Sequence, residues 1–142
     1  WRFLVADDAK VDRYLIRDTG ACLSLRERAA VDAWLVSERH FHVMRDGLTH
    51  TEPMLAGMWG GVRGALPSLQ EELIAFCESA PLSRTADQLF LRERIWPTVR
   101  QSVLAHDSEF TLRDSQPFPT ELRSDHRVGQ AVSAPRIRWP SN

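Results

Sequence analysis

The sequence predicts an α/β protein in which short strands alternate with capped helices and stack as layers. Short apolar runs rich in aromatic and branched residues recur at Trp1 to Ala6, Val11 to Ile16, Phe41 to Met44 and Val103 to Ala105, the pattern of strands. Between them, Ser24, Ser68 and Thr85 each stand three residues before a Glu or Gln, the spacing of a capping box at a helix start. Apolar stripes at helical spacing follow those starts. One chain of 142 residues is long enough for a single domain with a real core.

Taken in order, Trp1 to Ala6 and Val11 to Ile16 are two strands separated by the turn-like "DDAK". A helix follows from about Leu25 to Ser37, with Ala30, Val31, Trp34 and Leu35 on its buried face. Phe41 to Met44 is a short strand broken at Gly47. Four glycines between Pro53 and Gly64 predict a loop that something approaches closely. Pro67 and Ser68 start the next helix, with Leu69, Leu73, Phe76 and Cys77 as its stripe. The last helix begins near Thr85, has Leu91, Ile95, Val99 and Val103 as its core positions, and is kinked or split by Pro97. Val103 to Ala105 is a final strand ending at His106 and Asp107. Residues 114–142 carry four prolines and no helical period, so they are expected to form an extended or partly disordered arm beyond a 1–113 domain.

A formal charge of −1 gives no overall field for nucleic acid or an anionic membrane, although 17 of the 18 basic residues are Arg, suited to bidentate contact with phosphate or carboxylate. Cys22 and Cys77 lack CxxC spacing, against a disulfide framework or structural zinc. No apolar run approaches the ~20 residues that span a bilayer. These features predict a soluble protein of the reducing cytoplasm. An opening on an apolar run without Met suggests a fragment or a trimmed chain.

Four clusters carry candidate chemistry. Arg17-Asp18 ends a strand, where a carboxylate on a rigid support can hold a metal or cap its own turn. "HFHVMRDGLTH" holds His40, His42, Arg45, Asp46 and His50. As a helix it would put His42, Asp46 and His50 on one face as a zinc site, and so a metal-dependent hydrolase. As a strand and loop it would hydrogen-bond a hydroxyl-rich or phosphorylated ligand. Trp59 and Gly60, within "GMWGG", suit stacking on a sugar or base, or a plugged core. Asp87-Gln88 opens a helix, where a carboxylate also suits the helix dipole.

In sequence, "WRF", "RDTGACLSLRERAAVDAWL", "FHVMRDGLTH", "PMLAGMWGG", "ADQLFL", "HDS", "PFPT" and "VGQ" resemble bacterial glycosyltransferase-like proteins of the GT-A fold, from Trp1 to about Gln130. The resemblance implies a GT-A-like sheet with flanking helices, without the N-terminal nucleotide-binding units. It implies a nucleotide-diphospho-sugar donor and a glycan or hydroxyl acceptor. A manganese or magnesium ion would be held by the Asp-x-Asp position, here Asp18 with Gly20 in place of the second acid, and by His106. Asp87 and Asp46 would be the candidate base or transition-state stabiliser. Arg17, His42, Arg45, His50, Trp59, Gly60 and Gln88 would line the donor and acceptor pocket. A degenerate relative that binds glycan or assembles with a partner is the alternative. An uncovered sheet edge would favour a homo-oligomer or a missing N-terminal partner segment.

Overall fold

The computed structural model describes residues 2–66, 68–79, 83–109, 114–121 and 127–131. Five strands form one mixed sheet in the order β1-β3-β2-β4-β5: β1 Arg13–Arg17, β2 Phe41–Arg45, β3 Met58–Val62, β4 Val103–Asp107 and β5 Ser115–Pro117. β3 runs antiparallel to both neighbours, whereas β2, β4 and β5 are parallel to one another. It follows that β1, β2 and β4 all point the same way. The α/β layer prediction therefore holds.

Side chains alternate across the sheet, as the pleat requires. Tyr14, Ile16, Phe41, Val43, Trp59, Val103 and Ala105 enter the larger core. Helices α2 Leu69–Ser79, α3 Ala86–Phe90 and α4 Trp96–Val99 cover that face through Leu69, Phe76, Phe90 and Val99. On the other face, Met44 and Met58 meet Ala30 of helix α1 Leu25–Leu35, together with Phe118 and Val128 from the C-terminal stretch.

Several local expectations are corrected. Leu4–Asp7 is a 3-10 turn, with Phe3 and Ala6 buried at the spacing of three that such a turn presents to one side. Trp1, where that first strand was expected to begin, lies outside the described residues. The glycine-rich stretch contains strand β3. Its Gly60 and Gly61 stand in the sheet because a side chain at either would collide with Tyr14. The Ser68 capping box does not form, because Ser68 has φ 58° and Asp7 instead accepts from Gln70 N–H at 3.1 Å. Cys77 is exposed, off the stripe that buries Leu69 and Phe76. Helices α3 and α4 are continuous through a π turn, Leu91–Ile95, that carries the chain into Pro97. The described parts of 114–142 build β5 and seat Phe118 and Val128 in the core. The expected disorder at the chain's end falls on residues 132–142, outside the described residues.

Candidate functional site

Because β1, β2 and β4 are parallel, Arg17-Asp18, Arg45-Asp46 and His106-Asp107 all arrive at one edge of the sheet. The crevice outside the carboxyl ends of strands is where open α/β sheets bind ligands. β3 separates β1 from β2, so the ends of those two strands lie about 10 Å apart by the usual strand spacing.

At the end of β1, Asp18 is seated on Gly57. A Cβ there would fall against the whole carboxylate, with Asp18 Oδ1 at 2.7 Å. Arg2 donates to Asp18 at 2.7 Å and, through its other terminal nitrogen, to Asp87. Asp87 lies in the first turn of α3 and accepts from Gln88 N–H at 2.7 Å. The Gln88 amide pins the loop that leads to Gly57, accepting from Ala56 N–H at 3.1 Å and donating to the Met54 carbonyl. Asp18, Asp87 and Gln88 are thus brought together although nearly 70 residues separate the first from the others in the chain.

Arg17 turns to the other face of the sheet, toward α1. It pairs with Glu27 and donates to the carbonyls of Ile16 and Trp59, at 2.7 and 3.0 Å. Ser24 does cap α1, accepting from Glu27 N–H at 3.1 Å, but the Glu27 carboxylate serves Arg17 and leaves the reciprocal half of the capping box unmade.

At the end of β2, Arg45 is buried in a two-pronged pair with Asp107, both bonds 2.6 Å, and also donates to the Pro53 carbonyl. Asp46 has no exposed surface. It accepts from Arg26 Nε at 2.9 Å and from Val128 N–H at 2.9 Å, so its carboxylate is a clamp between α1, β2 and the C-terminal stretch. Asp46, expected as a base or transition-state stabiliser, is thus enclosed and held by Arg26 and Val128. Arg26 further donates to the Thr120 carbonyl and stacks over Phe118 at 4.1 Å. Beyond Asp46 the chain turns back so that His50 Nδ1 accepts Asp46 N–H at 3.1 Å. Burial, aided by Arg127, lowers the His50 pKa against the opposing pull of Asp46. A cavity of about 410 Å³ opens here between residues 46–50 and 127–130.

Other expected pocket residues belong to the core. Trp59 is fully buried against Phe3 and Tyr14, with ring centroids 5.6 and 5.5 Å away. Gly60 lies in the middle of the sheet. His42 is buried, stacks on Trp34 at 5.7 Å, and meets His106 Nδ1 through its Nε2 at 3.2 Å. His106 is also buried, and its Nε2 faces the Gln116 amide nitrogen at 2.9 Å. Desolvation, followed by the neighbouring His106 and Arg17, lowers His42 to about 3. Desolvation and Arg26 lower His106 to about 4.

The divalent ion implied by the resemblance does not fit this arrangement. Asp18 follows β1 and His106 lies on β4, with two strands between, and both ring nitrogens of His106 are engaged. Among the described residues no group of three or more His, Cys, Asp or Glu side chains could hold a metal ion. The zinc reading of His42, Asp46 and His50 fails with them, since β2 ends before Asp46 and His42 points into the core. Among the described residues no helix is long and apolar enough to cross a membrane.

Arg2, Arg26, Arg127 and Gln130 were not singled out from the sequence. Arg26 had a legible signal, for it shares the i, i+4, i+8 stripe of Ala30 and Trp34, and a charge on a buried stripe requires a buried partner. No protein-family model, curated protein or solved structure matches the chain.

Proposed function

We propose that this chain is a GT-A-like glycosyltransferase domain, or the C-terminal part of one, that moves a sugar from a nucleotide-diphospho-sugar to a glycan or other hydroxyl acceptor. One observation carries the reading. Asp18, the Gly57 loop and Asp87-Gln88, three separate motifs of the resemblance, meet at the carboxyl edge of the sheet, and the cavity beyond β2 opens at the same edge. Its volume lies in the usual range for small-molecule sites, about 300–1,000 Å³. Asp46 is enclosed, so Asp87, whose side chain is 38 % exposed, is the carboxylate placed to face an acceptor hydroxyl. Arg2 stands between Asp87 and Asp18 and supplies the positive charge at that position.

The non-catalytic relative is favoured by a different observation. Arg2 already engages both Asp18 and Asp87, and the second acid position is Gly20, with nothing within 4 Å of a Cβ placed there. Gly20→Asp is therefore sterically free, and a recovered manganese affinity in that variant would mark a lapsed donor site.

The test is calorimetric titration of UDP and of GDP into the folded chain, with and without manganese. Saturable binding of one nucleotide is expected, weakened at least tenfold in Arg2→Ala, which removes the positive charge between Asp18 and Asp87. A folded chain that binds neither would sink the transfer reading and leave the non-catalytic one.

A further inference from the structure

The cavity beyond β2 has an asymmetric set of polar groups. The carboxylate, ring-nitrogen and amide-oxygen acceptors in its lining are engaged within the protein, and Thr49 adds a hydroxyl that can both donate and accept. Asp46 takes Arg26 through both oxygens, at 2.9 and 3.3 Å, and adds Val128 N–H at 2.9 Å. His50 Nδ1 takes Asp46 N–H, and Gln130 Oε1 takes Arg127 N–H at 3.3 Å. Several donors have no partner among the described residues. A backbone N–H can only donate, so His50 Nδ1 must accept, and the neutral ring carries its proton on Nε2. The Gln130 amide nitrogen has no partner among the described residues. Arg127 gives one terminal nitrogen to Glu109 at 2.7 Å, and its other side-chain N–H groups have no hydrogen-bond partner among the described residues.

A cation finds no spare side-chain carboxylate or ring nitrogen in such a lining. A lone hydroxyl would use only part of it. A group that only accepts, with several oxygens around one centre, matches it best. The charges in the lining are locally balanced, Asp46 by Arg26 and Arg127 by Glu109, so selection rests on directed N–H groups rather than net field.

We propose that this cavity is an oxyanion site, built from His50, Arg127 and Gln130, for a phosphoryl or carboxylate group carried on a sugar-sized body. The cavity is the one counted toward the transferase reading, but the site requires neither a nucleotide nor any reaction, so it stands or falls separately. The volume, about 410 Å³, leaves room beyond the oxyanion itself for the body that bears it.

The experiment follows the histidine ring signals of the full chain by NMR during separate titrations with inorganic pyrophosphate and with glucuronate. One of the two is expected to shift the His50 signal saturably while His42 and His106, enclosed in the core, stay still. Pyrophosphate alone would identify a phosphoryl group, and glucuronate alone a carboxylate. Gln130→Glu keeps the acceptor for Arg127 N–H but replaces the free amide donors with negative charge, so affinity should fall at least fivefold at unchanged melting temperature. Should that variant unfold, Arg127→Gln decides by the same criterion. If neither oxyanion moves His50, or the deciding variant binds like wild type, there is no oxyanion site. Nucleotide titration separates the two proposals. Pyrophosphate binding at His50 in a chain that ignores UDP and GDP would remove transfer and keep this site, and the converse result would remove this site alone.

Discussion

At Gly57 the backbone is approached by a carboxylate, and at Gly60 by another backbone, so the same added methyl should have different consequences. Asp18 is 64 % exposed along its side chain and can swing away from Gly57. At Gly60 an added Cβ would lie 2.5 Å from the Tyr14 carbonyl oxygen, which the β1–β3 ladder holds in place. Gly57 is itself buried, but the group its methyl would meet is a side chain that can move, so Gly57→Ala should cost less than Gly60→Ala while releasing Asp18 from its seat beside Arg2. Gly60→Ala should cost about 1–3 kcal/mol, as overpacking generally does. Urea denaturation of both variants checks this, and equal losses would mean that Asp18 is held as rigidly as the sheet.

Among the elements, the Asp46 clamp joins three pieces that are distant in the chain: α1 through Arg26, the end of β2, and the stretch around Val128. Asp46→Ala would leave Arg26 buried without its counter-charge, a change that typically costs about 3–5 kcal/mol. It would also remove the acceptor of Val128 N–H. Hydrogen exchange should show Val128 losing protection in Asp46→Ala while the β2–β4 ladder remains slow. Simultaneous loss in both would make the clamp part of the global core rather than a tether. The same elements explain what was legible in the sequence. β1, β2, α1 and β4 follow from apolar runs and the Ser24 cap, which are local signals. β3 was hidden because Gly60 and Gly61 answer to Tyr14, a neighbour known only once the strands pair. The same dependence on pairing concealed the burial of His42 and Trp59, which local sequence left open between ligand and core. β5 was hidden among prolines, since Pro117 closes a strand of three residues whose support comes from β4. Of the site, Asp18 at a strand end was legible from position alone. Asp87-Gln88 was marked by the resemblance, and its meeting with Asp18 through Arg2 is a property of the folded chain.

For the molecule as a whole, the buried His42–His106 pair sets the response to acid. With the Gln116 amide nitrogen donating to His106 Nε2, the proton of His106 sits on Nδ1 and is given to His42 Nε2. His42 Nδ1 is then left buried with no partner among the described residues. A further proton on either ring must enter a closed, desolvated chain of donors, which agrees in direction with the lowered values of about 3 for His42 and about 4 for His106. Both start from 6.5 when unfolded. Below that pH the unfolded chain binds protons at these two positions while the native chain does not, so stability falls as pH falls. The loss begins near pH 6.5, continues until His106 titrates near 4 and His42 near 3, and has no counterpart above pH 7. Each histidine contributes a slope of up to about 1.4 kcal/mol per pH unit within that window. His50, lowered in the same direction, steepens it. His42→Phe keeps an aromatic ring against Trp34 and removes one titrating group. Urea melts between pH 7.5 and pH 4.5 should therefore give a shallower decline for His42→Phe than for wild type, by up to about 1.4 kcal/mol per pH unit. An unchanged slope would place the acid sensitivity outside the histidine pair.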